Sequence, residues 1–503
     1  MNHGLTTMRL KRLMAATAVF ALLTGMASAQ PSDPLRDVAQ KAIGTNPDVA
    51  SRFNAFRAAA DAVDVARGAW YPRVDLQATV ANTNDRIASR APVSSSLNHS
   101  GVALQVSQTL WDGLSTKRDV GRLDHEKLAR YFEFLDATEQ TALEAARAYY
   151  DVLRYRRLVA LAEDNYVQHK YSFTQIQSRF RAGVGRGVDL EQVGARLALA
   201  ESNLSTEVAN LHDVSARYQR IVGEAPPANL PLPASLRSGL PSSATQLMSA
   251  AVARNAAVSA SIENLRAARE AASQRDSLFQ PKVEARVRAG TGSNFDAVSD
   301  QKRDTTAEIT LNWNLYNGGA DRARVRQQAN LVAQAADLRD KTCRDTRQSA
   351  LIAFNDTRKL ADQLLFLDRN VLAIEKARDA YRQQFDINQR SLLDLLNAEN
   401  ELYTAKRSYA NAEYDHGVAY ARAQAAMQQL TVHLGLRRAD AEQPAADVST
   451  WSSGDDAPLR CPASTIDVQI TNRAELDARA ERMLANTPAP APAGAPQPAS
   501  PKR

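Results

Sequence analysis

Arg73-Val74-Asp75-Leu76-Gln77-Ala78-Thr79-Val80 places an apolar side chain at every second position, with charged or polar residues between. A period of two puts all the apolar groups on one face of a strand. The same alternation returns in the second half of the chain, where Val283, Ala285 and Val287 oppose Glu284, Arg286 and Arg288. Each run follows an aromatic residue and a proline, Trp70-Tyr71-Pro72 and Phe279-Gln280-Pro281, where a helix cannot easily continue. A second alternating run follows each first one: Val102, Leu104 and Val106 opposite Gln105 and Ser107, then Ile309, Leu311 and Trp313 opposite Thr310, Asn312 and Asn314. The polar stretches Asn82 to Ser100 and Gly290 to Thr305 read as loops between them. Strands are thus expected over about 71–82, 100–110, 281–291 and 306–315, roughly the ten residues that a tilted membrane strand needs.

Outward from these strands the chain repeats itself. Asn46-Pro47-Asp48-Val49 answers to Asn255-Ala256-Ala257-Val258, Leu110-Trp111-Asp112-Gly113 to Leu315-Tyr316-Asn317-Gly318, and Ile221-Val222-Gly223 to His433-Leu434-Gly435. Helical stretches, Leu35 to Gly68 and Ala244 to Leu278, lead into the strands. After the strands come stretches without proline, expected as long helices over about 114–181 and 319–387 and reaching about 100 Å at 1.5 Å per residue. Returning helices are expected over about 188–222 and 391–434. Leu190, Leu197, Leu204 and Leu211 recur at sevens, as do Leu395, Leu402 and Tyr409, the period of coiled-coil packing. The turns between outgoing and returning helices fall at Gly183 to Gly187 and at Ile387-Asn388-Gln389-Arg390. The two repeats span 30–223 and 244–436, joined by a Pro-rich linker at 224–243.

The first residues carry Arg9, Lys11 and Arg12, an apolar run from Leu13 to Leu23, and Ala27-Ser28-Ala29, the pattern of a secretory signal over 1–29. No later segment holds the 20 or so apolar residues of a transmembrane helix. The formal charge of +6 is spread as mixed Arg, Asp and Glu, which marks solvated helix surface and no nucleic-acid face. His125, His169, His212 and His416 lie on helical stretches without metal-ligand spacing, and Gly183 to Gly187 lacks the Lys-Ser/Thr of a phosphate loop. No catalytic group, metal or cofactor is therefore expected. Trp70, Tyr71, Trp111, Trp313 and Tyr316 cluster at strand ends, where interfacial girdles place aromatic rings.

Four membrane strands cannot close a barrel, and an open sheet in lipid leaves edge N–H and C=O groups unpaired at several kcal/mol each. Copies of the chain must share one barrel. The expected fold class is mixed α and β: a shared transmembrane β-barrel with four strands per protomer, continued by a long α-helical coiled-coil periplasmic barrel, in two internal structural repeats.

Gln108-Thr109-Leu110-Trp111-Asp112-Gly113, Trp313-Asn314-Leu315-Tyr316-Asn317-Gly318-Gly319 and Arg390-Ser391-Leu392-Leu393-Asp394-Leu395-Leu396-Asn397-Ala398-Glu399 resemble the TolC-like outer membrane factors of type I protein secretion and multidrug efflux. The resemblance covers about residues 35 to 436. It implies an outer-membrane homotrimer with a periplasmic extension, docking a periplasmic adaptor (a membrane fusion protein) and an inner-membrane ABC or proton-driven pump. It also implies a latch at the helical tip. Arg390 and Asp394 fall at the latch arginine and aperture acid, and Asp189 at a partner acid; Asn397 replaces a second acid and Phe385 the usual tyrosine. Type I secretion is the preferred cargo reading, small-molecule efflux its alternative, and a soluble periplasmic coiled-coil adaptor or scaffold the reading from another class.

Cys343 lies 47 residues before Arg390, and the last coiled-coil helix ends near Leu436, 46 residues after it. In antiparallel helices both points sit about 70 Å from the tip, so a Cys343–Cys461 bridge is expected to pin the C-terminal periplasmic segment, 437–485. The Ala- and Pro-rich tail at 486–503 is expected to be disordered.

Overall fold

The computed structural model describes residues 33–89, 91, 93–441, 450–461, 468 and 470–485; the expected signal sequence and the Ala/Pro tail lie outside them. Helices α1 (Pro34–Thr45) and α2 (Pro47–Arg67) lead to strands β1 (Arg73–Arg86) and β2 (Ser94–Trp111), then to α3 (Ser115–Arg181) and α4 (Gly187–Val222). The second repeat runs through α5 (Ala244–Arg254), α6 (Ala256–Gln274), β3 (Lys282–Ser293), β4 (Arg303–Asn312), α7 (Ala320–Asp386) and α8 (Leu392–Ala426), with a short α9 (Leu430–His433) after it. A further helix, α10 (Arg473–Ala485), belongs to a separate unit and is exposed along its length.

The helix leading into each strand pair is two helices, not one. Asn46 and Asn255 stand in extended conformation, and their side chains accept from the N–H of Asp48 and Val258, so each asparagine starts a new helix. Three of the strands are longer than the alternation suggested, and β4 keeps the expected length but starts three residues earlier. The polar residues expected in loops stay in register, Asn82 opposite Asn98 and Thr83 opposite Leu97. Asn82 Nδ2 donates to Asn98 Oδ1 at 2.6 Å, and Thr83 Oγ1 lies 3.1 Å from His99 Nε2. At the other end β4 stops at Asn312, so Trp313 and Tyr316 lie just past it. The four strands form one antiparallel sheet in the order β1-β2-β3-β4.

At 67 residues each, α3 and α7 reach about 100 Å. α4 folds back on α3, and α8 on α7. Gly183 (φ +75°) and Asn388 (φ +61°) supply left-handed turn geometry at the two tips. On α4 two interleaved heptad series turn inward: Val193, Ala200, Glu207, Val214 and Ile221, then Leu190, Leu197, Leu204, Leu211 and Tyr218. Midway along α3 lies the largest apolar cluster, where Tyr149 and Val152 meet Leu35, Tyr218, Tyr414 and Leu430. Gly417 lets the Tyr150 ring lie against α8, since a Cβ there would overlap it. The linker crosses this waist: Leu230 and Leu236 are buried, and Arg156 Nη1 donates to Ala228 O at 2.9 Å.

The last long helix does not continue to residue 434. It stops at Ala426, Gln428 adopts φ +57°, and α9 begins with Leu430 N donating to Glu139 Oε1 at 2.6 Å. Thr431 Oγ1 donates to Glu139 Oε2 at 2.6 Å and Thr431 N at 3.2 Å. A buried acid on α3 thus caps the new helix. Burial outweighs these donors and pushes the Glu139 carboxyl from 4.5 up to about 7. A folded-state value above the unfolded one means that the folded chain holds the extra proton. The stabilisation is full below about pH 4.5 and is lost as pH rises through about 7. Thermal melting followed by circular dichroism should therefore give a higher midpoint at pH 5.5 than at pH 8, with Glu139→Gln shrinking the difference. An undiminished difference in the variant would assign the effect to another group.

Candidate functional site: membrane wall and helical tip

Register carries the alternation of single strands across the whole sheet. Val74 faces Val106, which faces Val287, which faces Ala307; Leu76 faces Leu104, which faces Ala289. These rows form one apolar face, with Leu76 72% and Ile309 71% exposed in the single chain. The opposite face aligns Asp75 with Gln105 and Arg288, and Arg73 with Ser107, Arg286 and Glu308. Arg286 there pairs with Glu284 and Glu308, both at 3.3 Å. An apolar face a strand-length tall behind a charged one is a barrel wall between lipid and water. Among the described residues the edges, β1 and β4, have no partner strand, which backbone in lipid cannot tolerate. Among the described residues no helix is long and apolar enough to cross a membrane.

Trp70, Tyr71, Trp111, Trp313 and Tyr316 are all exposed, and all lie at the end of the sheet that joins the helices. Trp313 Nε1 donates to Phe279 O at 3.2 Å and leaves its ring outward. All five aromatic side chains thus gather at one end of the strands.

At the far tip the five latch candidates do not form one cluster. Arg390 Nη1 lies 3.6 Å from Asp394 Oδ2, both side chains about 40% exposed. Arg390 also bonds Gln384 Oε1 at 3.0 Å and stacks on Tyr381, 4.7 Å from the ring centroid. The Asp394 carboxylate accepts from Ser391 Oγ at 2.9 Å, and Ser391 Oγ accepts from Asp394 N at 3.2 Å, so Asp394 also steadies the serine that caps α8. Asp189 pairs locally with Arg186 at 3.1 Å. Phe385 is buried with Ile176, Val193, Leu392, Leu395 and Leu396, and Arg179 lies over its ring at 5.3 Å. It anchors the tip core that ties one hairpin to the other. Asn397 Oδ1 accepts from Arg196 Nη2 at 2.9 Å, linking α8 to α4.

Sequence reasoning missed the acids in the helical core. Glu399 is buried and takes Arg378 Nη1 at 3.3 Å and Arg382 Nη2 at 2.5 Å, while Arg382 also bonds Gln168 of α3 at 2.7 Å. Glu399, Arg378 and Gln168 border a cavity of about 270 Å³. Glu207, 2% exposed, pairs with Arg407 of the other hairpin at 2.6 Å. The available signal was an acid on the inward heptad face: Glu207 seven residues from Ala200 and Val214, and Glu399 seven from Leu392. Among the described residues there is no metal-ligating cluster.

In the structure Cys343 and Cys461 form a disulfide. The segment before it lies along α6 and α7. Trp451 Nε1 donates to Glu263 Oε1 at 2.6 Å, Arg266 bonds Asp456 at 2.8 Å, and Arg460 Nε bonds Asp340 Oδ2 at 2.9 Å.

A two-faced, open-edged membrane sheet set on paired helices about 100 Å long defines a class of outer-membrane channel with a helical extension. A family model described as "Outer membrane efflux protein" matches residues 38–224 and 247–448, and the chain belongs to that family. It is similar to the outer membrane efflux protein BepC of Brucella suis, 26% identical over 85% of this chain and 92% of BepC. It is also similar to the alkaline protease secretion protein AprF of Pseudomonas aeruginosa, 26% identical over 59% of this chain and 66% of AprF. Among solved structures, the Campylobacter jejuni CmeC outer membrane channel superposes with a TM-score of 0.72 over 79% of this chain and 86% of CmeC, at 14% identity. The protein resides in the outer membrane and is a channel, not an enzyme.

Proposed function

We propose that the chain assembles as a homotrimer and serves as the outer-membrane exit duct of a tripartite export system. It takes cargo from an inner-membrane pump through a periplasmic adaptor. The observation that carries this is the sheet with one apolar face, one charged face and two unpaired edges: three copies bring twelve strands, enough for an open lumen. The cargo we assign is secreted protein, a reading supported by the likeness to AprF, which is named for protease secretion. A second reading, export of small molecules, is supported by BepC, an efflux protein by name that matches more of the chain. Deleting the gene and scoring both the secretome and drug sensitivity tests the assignment. Missing exported proteins support secretion, and an intact secretome with raised drug sensitivity overturns it.

We also propose that Arg390 and Asp394 bias the tip towards closure, with Asn397, Asp189 and Phe385 holding the surrounding helices. An exposed i,i+4 pair contributes about 0.3 to 0.5 kcal/mol. Three lost together shift a two-state gate by about 1 to 1.5 kcal/mol, roughly tenfold at the upper end. Arg390→Ala and Asp394→Ala should raise single-channel conductance or open probability in planar bilayers. Unchanged records for both would place closure in the Glu207 and Glu399 contacts.

A further inference from the structure

The turn between β3 and β4 does not stand up from the rim of the wall. Phe295 is 4% exposed, and a Cβ built on Gly101 or Gly290 would fall inside its ring. By alternation Gly101 shares a face with Ala103 and Gln105, and Gly290 with Arg286 and Arg288. That is the charged, lumen-facing side, so the ring lies flat on the inner wall, on two positions without side chains. Arg288 covers it, with its guanidinium 5.2 Å from the ring centroid and Nη2 donating to Asp296 Oδ1 at 2.8 Å. Asn294 Nδ2 donates to Asn98 O at 2.8 Å, and Asp300 N to Asn294 Oδ1 at 3.0 Å.

The turn is strained and yet held. Asn294, Asp296, Ala297 and Asp300 all have positive φ, 48°, 53°, 62° and 61°, a conformation that persists in non-glycine residues only where the surroundings impose it. It also lies below the top of the taller β1–β2 hairpin: Gly101 is seven residues inside the outer end of β2 at Ser94, about 23 Å along the strand, while Gly290 is three residues from the end of β3 at Ser293.

We propose that this inturned turn is a specificity-determining ledge: each protomer seats Phe295 on Gly101 and Gly290 and presents the Arg288–Asp296 pair to the lumen, narrowing the outer half of the duct. The ledge rests on the channel reading, with the charged face inward, and not on the cargo. It filters by size and by a ring of paired charges, which suits extended or small hydrated cargo and bars bulky solutes from outside.

Both native cysteines are bonded to each other, so Ser107→Cys, on the same face but nearer the helices, supplies a single thiol below the ledge. Intact cells carrying it are treated with a small sulfonated maleimide or with a polyethylene-glycol maleimide of large radius. The small reagent should label readily and the large one slowly. Adding Phe295→Ala should speed the large reagent by about tenfold, as widening a steric constriction does, and leave the small one unchanged. Gly290→Ala, which dislodges the ring but keeps it, should do the same and carries the test should Phe295→Ala fail to assemble. Equal rates for the large reagent with and without these changes would overturn the ledge. A thiol that neither reagent reaches until denaturation would overturn the inward-facing assignment as well.

Discussion

Leu76→Arg is expected to cost about 2–4 kcal/mol per chain and to abolish the heat-modifiable oligomer in outer-membrane fractions, while Gln77→Arg, one residue away, leaves it intact. Leu76 lies on the apolar face opposite Leu104, and Gln77 on the charged face opposite Ala103. Its place along the strand sets its depth: Leu76 is five residues past Tyr71, at the helix end of the sheet, about 12 Å up a strand tilted by some 40°, and the apolar band is about 25 Å tall. A guanidinium there sits near the middle of the hydrocarbon, where snorkelling helps least. In a closed ring every copy carries the same charge, so the cost repeats around the barrel. In the water of the lumen the same substitution meets solvent and loses little. Gel mobility of unheated and heated samples reads the outcome directly. Loss of the oligomer in both variants, or in neither, would mean that the two faces have been assigned the wrong environments.

The wall was legible because period two is a strong signal when charged residues sit between apolar ones, as at Arg73 to Val80. Its full height was not. Beyond Val80 come Asn82, Thr83, Asn84 and Asp85, opposite a run with Ser94, Ser95, Ser96 and Asn98, polar on both faces and so read as loop, yet Asn82 and Asn98 bond across the strands and the backbone ladder continues. The ledge was hidden for a related reason: Gly101 and Gly290 resemble strand-breaking glycines until Phe295 is seen seated on them. The helices were legible from the absence of proline and from leucines at sevens. Their interruptions were less so, since Asn46, Asn255 and Gln428 break helices through capping and backbone angles that a periodicity window averages away. The latch shows the limit of a motif. Arg390 and Asp394 do meet, but Phe385 is an apolar anchor and Asp189 keeps its own arginine, whereas two buried acids with arginine partners, Glu207 and Glu399, lie on the face that a heptad reading assigns to hydrocarbon.

Breaking the bond between Cys343 and Cys461 is expected to have the other large effect. The two residues are 118 apart in sequence, and tying a loop of that length removes about 5 kcal/mol worth of conformational freedom from the unfolded chain. The folded side is already ordered without the bond. Asp456 is held by Arg266 and Arg269, Trp451 packs on Phe132 with centroids 4.8 Å apart, and Arg460 pairs with Asp337 and Asp340. The disulfide therefore acts mainly on the unfolded chain, where it ties the strap residues Trp451, Asp456 and Arg460 into a closed loop with Cys343. Cys461→Ser, Cys343→Ser and the double variant should lower the dissociation temperature of the oligomer by the same amount, because each removes the one crosslink. Unequal or additive losses would point to packing of the separate thiols. Reductant should destabilise the parent protein to the level of the variants and leave the variants unmoved. A parent insensitive to reductant, with both thiols open to alkylation in the native state, would show that the strap is held by its arginines alone.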